Sequence, residues 1–263
     1  MPKKILLEMR NINKRFGAVV AIDNVDFEIY EGEILGLLGD NGAGKSTLIK
    51  IISGALKEDS GEIFFKGEKL NIRNPRDAID LGIETIYQDL SLYDNLEFSM
   101  NIFAGREYVK QGLGRIFGYV DVSRMRMESG KVLEGMSINM PREREVVEKF
   151  SGGQRQAIAI ARAAFWGKKM LLMDEPTAAL GVRESGNVLA LIKEFIKRVK
   201  GIVIITHNID HIINVADRAI ILRRGKRAGS VEFKKYKGKS EELHNEIVKI
   251  ITGFESISNN QVT

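Results

Sequence analysis

Gly39-Asp40-Asn41-Gly42-Ala43-Gly44-Lys45-Ser46 is the stretch on which the reading of this chain turns. It fits the pattern G-x-x-x-x-G-K-[ST], and it stands between the apolar run Ile34 to Leu38 and the apolar-periodic segment Thr47 to Ser53. Strand, glycine loop, helix is the order that phosphate binding requires. The glycines let backbone N–H groups turn inward as an anion nest, while the following helix aims its positive end at the same point. Lys45 is placed to reach the β- and γ-phosphates of a nucleotide, and Ser46 to ligate Mg²⁺. The expected binding set at this loop is Gly39, Asn41, Gly42, Ala43, Gly44, Lys45, Ser46 and Thr47.

A second stretch, MDEPTAALGVRES from Met173 to Ser185, supplies the acids that such a loop needs. The run Leu171-Leu172-Met173 reads as a strand that delivers a carboxylate to the C-terminal edge of a sheet, beside the phosphates, as Walker B chemistry demands. Asp174 is positioned to hold Mg²⁺, directly or through water. Glu175 leaves the strand in another direction and can align and polarise an attacking water. Two adjacent acids repel; a metal ion and Lys45 offset that repulsion.

Around these motifs the chain reads as α/β. KMLLMD at 169–174, GIVIIT at 201–206 and AIILRR at 219–224 are short, apolar on both faces and flanked by breakers, which predicts buried parallel strands. Apolar residues at Val188, Leu189, Ile192, Phe195, Ile196 and Val199 recur at helical spacing. The N-terminal third is β-rich, with strands expected at 5–10, 25–30 and 62–70 and a hairpin turn at Lys66-Gly67-Glu68. Residues 89–167 lack a buried-strand pattern and read as a mostly helical insertion. The polar tail from Ser256 to Thr263 is expected to fray.

Bulk properties narrow the options. At 263 residues, one large domain or two small ones are both open. The absence of cysteine removes disulfides, thiol catalysis and cysteine-ligated zinc. The N-terminus has no long apolar stretch of the signal-peptide kind, and no apolar run reaches the roughly 18 residues of a membrane span, so an unexported, non-spanning chain is expected. A net charge of +5 is spread over interspersed charges of both signs, and the basic stretch Arg223 to Lys239 reads as a solvated face rather than a nucleic-acid patch.

Phe150-Ser151-Gly152-Gly153-Gln154, ahead of the helical run RQAIAIARAA, resembles the signature sequence of ABC ATPases. Its physical logic is again a helix N-terminus with exposed N–H groups and a serine hydroxyl able to bond a phosphate oxygen. The resemblance spans roughly residues 5–253. It implies a single ABC ATPase domain over 1–263: a nucleotide-binding core with a mainly parallel sheet and an antiparallel β subdomain at 1–88 and 168–263, and a helical signature subdomain at 89–167. It further implies that Gln88 senses Mg²⁺ and water, that His207 bonds the γ-phosphate, and that Phe16 stacks on adenine. His207 and His211 are four apart, a metal-pair spacing, but no third ligand accompanies them. In this family two cassettes pair head to tail, so Ser151, Gly152, Gly153 and Gln154 would contact ATP held by a partner's phosphate loop. One copy of each motif makes two half-sites, and a second copy, a homologous subunit or a missing half completes them.

The segment Asn95 to Glu107 and the loop TAALGVRES resemble ATPase subunits of bacterial sugar importers of the ribose, xylose and galactose type, which usually carry two such domains in tandem. That resemblance implies MgATP hydrolysis driving sugar import, permease subunits docking near residues 88–107, a periplasmic sugar-binding protein in the same system, and a position on the inner face of the membrane. Tyr93, Leu96, Phe98, Met100 and Phe103 are divided between such a docking groove and internal packing. The alternative is a soluble ABC ATPase acting on nucleic acid or ribosomes; the coiled coils or charged linkers of those relatives are missing, and no nucleic acid is expected. Most ABC ATPases have an aspartate where Gly181 stands, so any cross-site contact here must use backbone groups or a neighbour such as Glu184.

Overall fold

A computed structural model describes residues 3–112, 117–134, 144–178 and 180–253, so the polar C-terminal tail lies outside the described residues. Among the described residues, ten strands form two sheets. In chain order they are β1 (Ile5–Phe16), β2 (Val19–Tyr30), β3 (Glu33–Leu38), β4 (Ser60–Phe65), β5 (Glu68–Leu70), β6 (Ile83–Ile86), β7 (Met170–Asp174), β8 (Gly201–Ile205), β9 (Arg218–Arg223) and β10 (Lys226–Glu232). The first sheet runs β2-β1-β4-β5 and is antiparallel throughout. The second runs β10-β9-β3-β8-β7-β6, with every pair parallel except the edge pair β9 and β10.

The central strands carry apolar side chains on both faces, and alternation divides them between two cores. Leu35, Leu37, Met170, Leu172, Val203, Ile205, Ile220 and Leu222 face the antiparallel sheet and the helix α1 (Lys45–Ile52). Their neighbours Ile34, Leu38, Leu171, Met173, Ile202, Ile204, Ala219 and Ile221 face a helical layer. The parallel sheet is thus a buried middle layer, and its C-terminal edge is where the chain turns out into loops.

The remaining helices are α2 (Pro75–Asp80), α3 (Phe98–Phe103), α4 (Val122–Glu134), α5 (Gly152–Trp166), α6 (Val182–Phe195), α7 (Ile209–Val215) and α8 (Ser240–Thr252). Helix α6 stops at Phe195, four residues before the apolar periodicity ends at Val199. Between β4 and β5, Lys66 and Gly67 both take positive φ, 55° and 85°, which is the two-residue hairpin geometry that matches strand twist. No described helix is long and apolar enough to cross a membrane.

Two of the five residues divided between groove and core, Phe98 and Phe103, are fully buried. Phe103 packs against the rings of Tyr108, Phe165 and Trp166 at centroid distances of 4.8, 5.2 and 5.7 Å. Tyr93, by contrast, is exposed. In the basic C-terminal stretch, Lys226 pairs with Asp23, Arg227 with Glu28 and Lys239 with Glu242, so three of its eight basic side chains are met within the fold.

Candidate active site

The loop between β3 and α1 requires its glycines. Gly39, Gly42 and Gly44 have φ of 144°, 78° and 105°, backbone conformations that side-chain-bearing residues rarely adopt. A Cβ on Gly39 would stand 2.2 Å from the Leu222 carbonyl oxygen, and one on Gly44 would stand 2.7 Å from that of Ala21. The loop is therefore wedged between β9 and β2 at Gly39 and Gly44, where no side chain fits, while Gly42 has open space and needs glycine for its backbone angle alone. Gly44 caps α1 without any side-chain acceptor, which leaves the first N–H groups of that helix for a ligand.

Lys45 is buried at the start of α1, and its Nζ donates to the carbonyl oxygens of Gly39 (2.6 Å) and Asp40 (2.9 Å). Burial pushes its amine below the usual lysine range, while Glu175, Asp174 and Asp40 oppose that shift. On the facing strand, burial pushes the Asp174 carboxyl above its ordinary range and Glu175 adds to the effect, with Lys45 pulling the other way. An ammonium and two carboxylates thus share a partly dehydrated site, a charge arrangement that a divalent cation and a triphosphate would complete.

Glu175 follows β7 with φ of 50°, a left-handed conformation held by its own N–H donating to the Ile205 carbonyl (2.8 Å). Its Oε1 accepts from the backbone N–H of His207 (3.1 Å) and lies 2.8 Å from His207 Nδ1. In the tautomer that carries its hydrogen on Nδ1, the ring donates to the same oxygen as the backbone N–H.

A cavity of about 510 Å³ brings together Gly39, Asn41, Gln88, Glu175 and His207. It opens at the C-terminal edge of the parallel sheet, at the mouth of the phosphate loop. Of the phosphate loop only Gly39, Asp40 and Asn41 are wall residues; Gly42 to Thr47 and Asp174 lie outside the walls, with Asp174 next to the wall residue Glu175. The set as a whole fits a nucleotide with a divalent cation: an anion nest, a buried lysine, and a hydroxyl and acids at Ser46, Asp174 and Glu175. Phe16 lies outside the cavity walls, at the end of β1 and 50% exposed. Ser151 to Gln154 also lie outside it. Ser151 caps α5 instead, with its Oγ accepting from Gln154 N (3.3 Å) and its N–H donating to Gln154 Oε1 (3.0 Å).

Around Gly181, Glu184 Oε2 accepts from the Gly181 N–H (3.2 Å), so this carboxylate caps α6 within its own chain. Gly153 sits against the same side chain; a Cβ there would meet Glu184 Cβ at 3.1 Å. The two histidines four apart have separate partners, His207 on Glu175 and His211 Nδ1 at 2.9 Å from Thr177 Oγ1. The sequence reading missed Val248 and Ile251 of α8, which wall the cavity. Their helical spacing in α8 was a signal for an apolar face but not for where that face would lie.

The chain is similar to known proteins along most of its length. A family model described as ABC transporter matches residues 22–178. The xylose/arabinose import ATP-binding protein XylG of Sulfolobus acidocaldarius is 49% identical over 95% of this chain and 94% of its own length. The ribose import ATP-binding protein RbsA of Caldanaerobacter subterraneus subsp. tengcongensis is 41% identical over 95% of this chain, which spans only 48% of that protein. A solved dimeric ATP-binding cassette in a post-hydrolysis state, bound to ADP and Pi, matches with a TM-score of 0.71 and 26% identity over 87% of this chain and 99% of that one.

Proposed function

The chain belongs to the ABC transporter family of ATP-binding subunits, and from that premise we propose that it hydrolyses MgATP to drive import of a sugar through partner membrane subunits. The observation that carries the reading is the pairing of Glu175 with His207 inside the cavity that Gly39, Asp40, Asn41 and Gln88 also line. The printed names of the xylose/arabinose and ribose relatives support a sugar as cargo. Sugar selectivity belongs to the other subunits, since these residues are matched to a nucleotide.

In this mechanism the loop N–H groups and Lys45 hold the β- and γ-phosphates, releasing the Gly39 and Asp40 carbonyls. Ser46, Asp174 and Gln88 would hold Mg²⁺, which would offset the negative charge of the phosphates. Glu175 orients the attacking water and draws its proton, while His207 fixes the Glu175 carboxylate and reaches the γ-phosphate. Phe16 supplies the adenine contact from the antiparallel sheet.

Ser151 to Gln154 do not line their own chain's cavity, and the solved dimeric relative is a cassette bound to ADP and Pi. Both support a head-to-tail pair in which these residues close the partner's site. The division into a core at 1–88 and 168–263 and a helical signature subdomain at 89–167 is retained, with Gln88 at the junction. A groove of about 600 Å³ lined by Arg76, Ile79, Arg106, Trp166 and Lys169 adjoins the 88–107 region and supports permease docking there. Attachment to the inner membrane face is then through that permease, and a periplasmic sugar-binding protein delivers the cargo. Affinity purification of the tagged full chain from membranes is expected to bring down an integral membrane subunit. Recovery of ribosomes or DNA alone would favour the soluble alternative.

A further inference from the structure

Arg162, in the third turn of α5, spans two consecutive backbone carbonyls across the fold: Nη1 donates to Ser91 O (2.9 Å) and Nη2 to Leu90 O (2.8 Å). These oxygens lie two and three residues after Gln88. The segment on the other side of Gln88 is tied to the core, because Tyr87 Oη donates to Ser53 Oγ (3.2 Å) at the C-cap of α1. Gln88 therefore sits between two anchors, one on the phosphate-loop helix and one on the helix that Ser151 caps.

The segment so held is not at rest by itself. Ser91 takes a φ of 49°, left-handed for a residue with a side chain, and its N–H is turned back onto Asp89 Oδ1 (3.1 Å). A conformation of this kind persists only where surrounding contacts over-determine it. The guanidinium fork does so, with two donors fixed relative to each other by a rigid plane. Glu84 and Arg106 are its charged neighbours, the first attracting the guanidinium and the second repelling it. Arg106 Nη2 lies 2.6 Å from Glu84 Oε1 on β6 and its guanidinium is 5.0 Å from the Trp166 ring, while Trp166 Nε1 donates to Ile102 O (2.8 Å). Glu84, Arg106, Arg162 and Trp166 line one cavity of about 200 Å³ between β6, α3 and α5.

We propose that Arg162 is a positioning residue for hydrolysis: it makes the placement of Gln88 in the nucleotide cavity follow the position of α5 and its Ser151 terminus. A shift of α5 relative to the core must then carry Leu90 and Ser91 with it, while Tyr87 stays with Ser53. The chain between them, which includes Gln88, absorbs the difference. The proposal rests on the reading of Gln88 given above and goes beyond it in naming the side chain that moves the loop.

The test compares Arg162→Met, Arg162→Lys, Gln88→Ala and the Arg162→Met/Gln88→Ala double variant in the full chain. Arg162→Met is expected to lower kcat about 10-fold or more with ATP Kd changed less than about 3-fold. Amide exchange should rise over residues 88–94. Arg162→Lys, which keeps the half-buried charge but cannot bridge both carbonyls, should fall between Arg162→Met and wild type. The double variant should be no slower than Gln88→Ala, because both changes remove one function. Losses that multiply, or wild-type kcat in Arg162→Met, would overturn the proposal. If Gln88→Ala alone hydrolyses ATP at the wild-type rate, the reading of Gln88 fails. Arg162 is then judged by amide exchange: an increase over 88–94 in Arg162→Met or Arg162→Lys upholds it as the loop's anchor, and unchanged exchange removes it.

Discussion

His207 Nδ1 lies 2.8 Å from Glu175 Oε1, and the His207 backbone N–H reaches the same oxygen at 3.1 Å. One oxygen of the acid that follows β7 is thus fixed twice by the residue that follows β8, although the two are 32 positions apart. The His207 side chain is 74% exposed, so its removal disturbs little else. His207→Ala is expected to fold normally and, by releasing the Glu175 base, to lower kcat by about 100-fold, with a smaller change in KM. Steady-state hydrolysis across ATP concentrations measures both.

Lys45 illustrates a charge stored on its own loop, on the carbonyls of Gly39 and Asp40. Lys45→Ala removes a charge-assisted contact to phosphate worth about 1.5–3 kcal/mol, so ATP should bind roughly 10- to 100-fold more weakly. Titration with a fluorescent nucleotide would show this, and an unchanged Kd would exclude Lys45 from phosphate binding.

Asp174 makes a prediction in pH. Burial and then Glu175 push its carboxyl up, so the folded chain holds this proton more tightly than the unfolded chain. The ionised carboxylate therefore subtracts stability from the nucleotide-free protein. The penalty is absent below the unfolded carboxyl range, near about 3.9, and grows as pH rises through the raised value. Asp174→Asn should melt higher than wild type at neutral pH without nucleotide, with the gap closing on acidification. It should also lose the extra stabilisation that Mg²⁺ adds to ATP. A thermal-shift series from acidic to neutral pH, with and without MgATP, reads both effects.

Ser151 caps α5 through Gln154 N. Ser151→Ala is expected to cost about 1 kcal/mol, or roughly 2–4 °C in Tm, and to depress hydrolysis further if the residue also closes a partner's site. A loss confined to Tm would assign Ser151 to capping alone.

The parts of this fold that were legible from sequence are those where a local pattern has one physical solution. β7, β8 and β9 are apolar on both faces because they form a buried middle layer, and the glycine loop needs backbone angles that few residues adopt. β10 was not legible: KRAGSVE carries charge and glycine because it is an edge strand, and it reads as surface. The fates of Phe98 and Phe103 depended on which helices cover them, which spacing alone does not specify. Arg162 and Leu90 are 72 positions apart, and Tyr87 and Ser53 are 34 apart; pairings of that range leave no periodic trace. The motif residues were visible individually, whereas the contacts that hold them in register were not.

In the proposed mechanism Glu175 activates the water that hydrolyses ATP, and Glu175→Gln removes that function alone. The amide keeps the size of the side chain and its acceptor oxygen for His207, but cannot take a proton. Steady-state MgATP hydrolysis should fall by about 10²- to 10⁴-fold, with ATP still bound and the chain accumulating at the mass of a dimer. Hydrolysis at the wild-type rate would contradict the assignment.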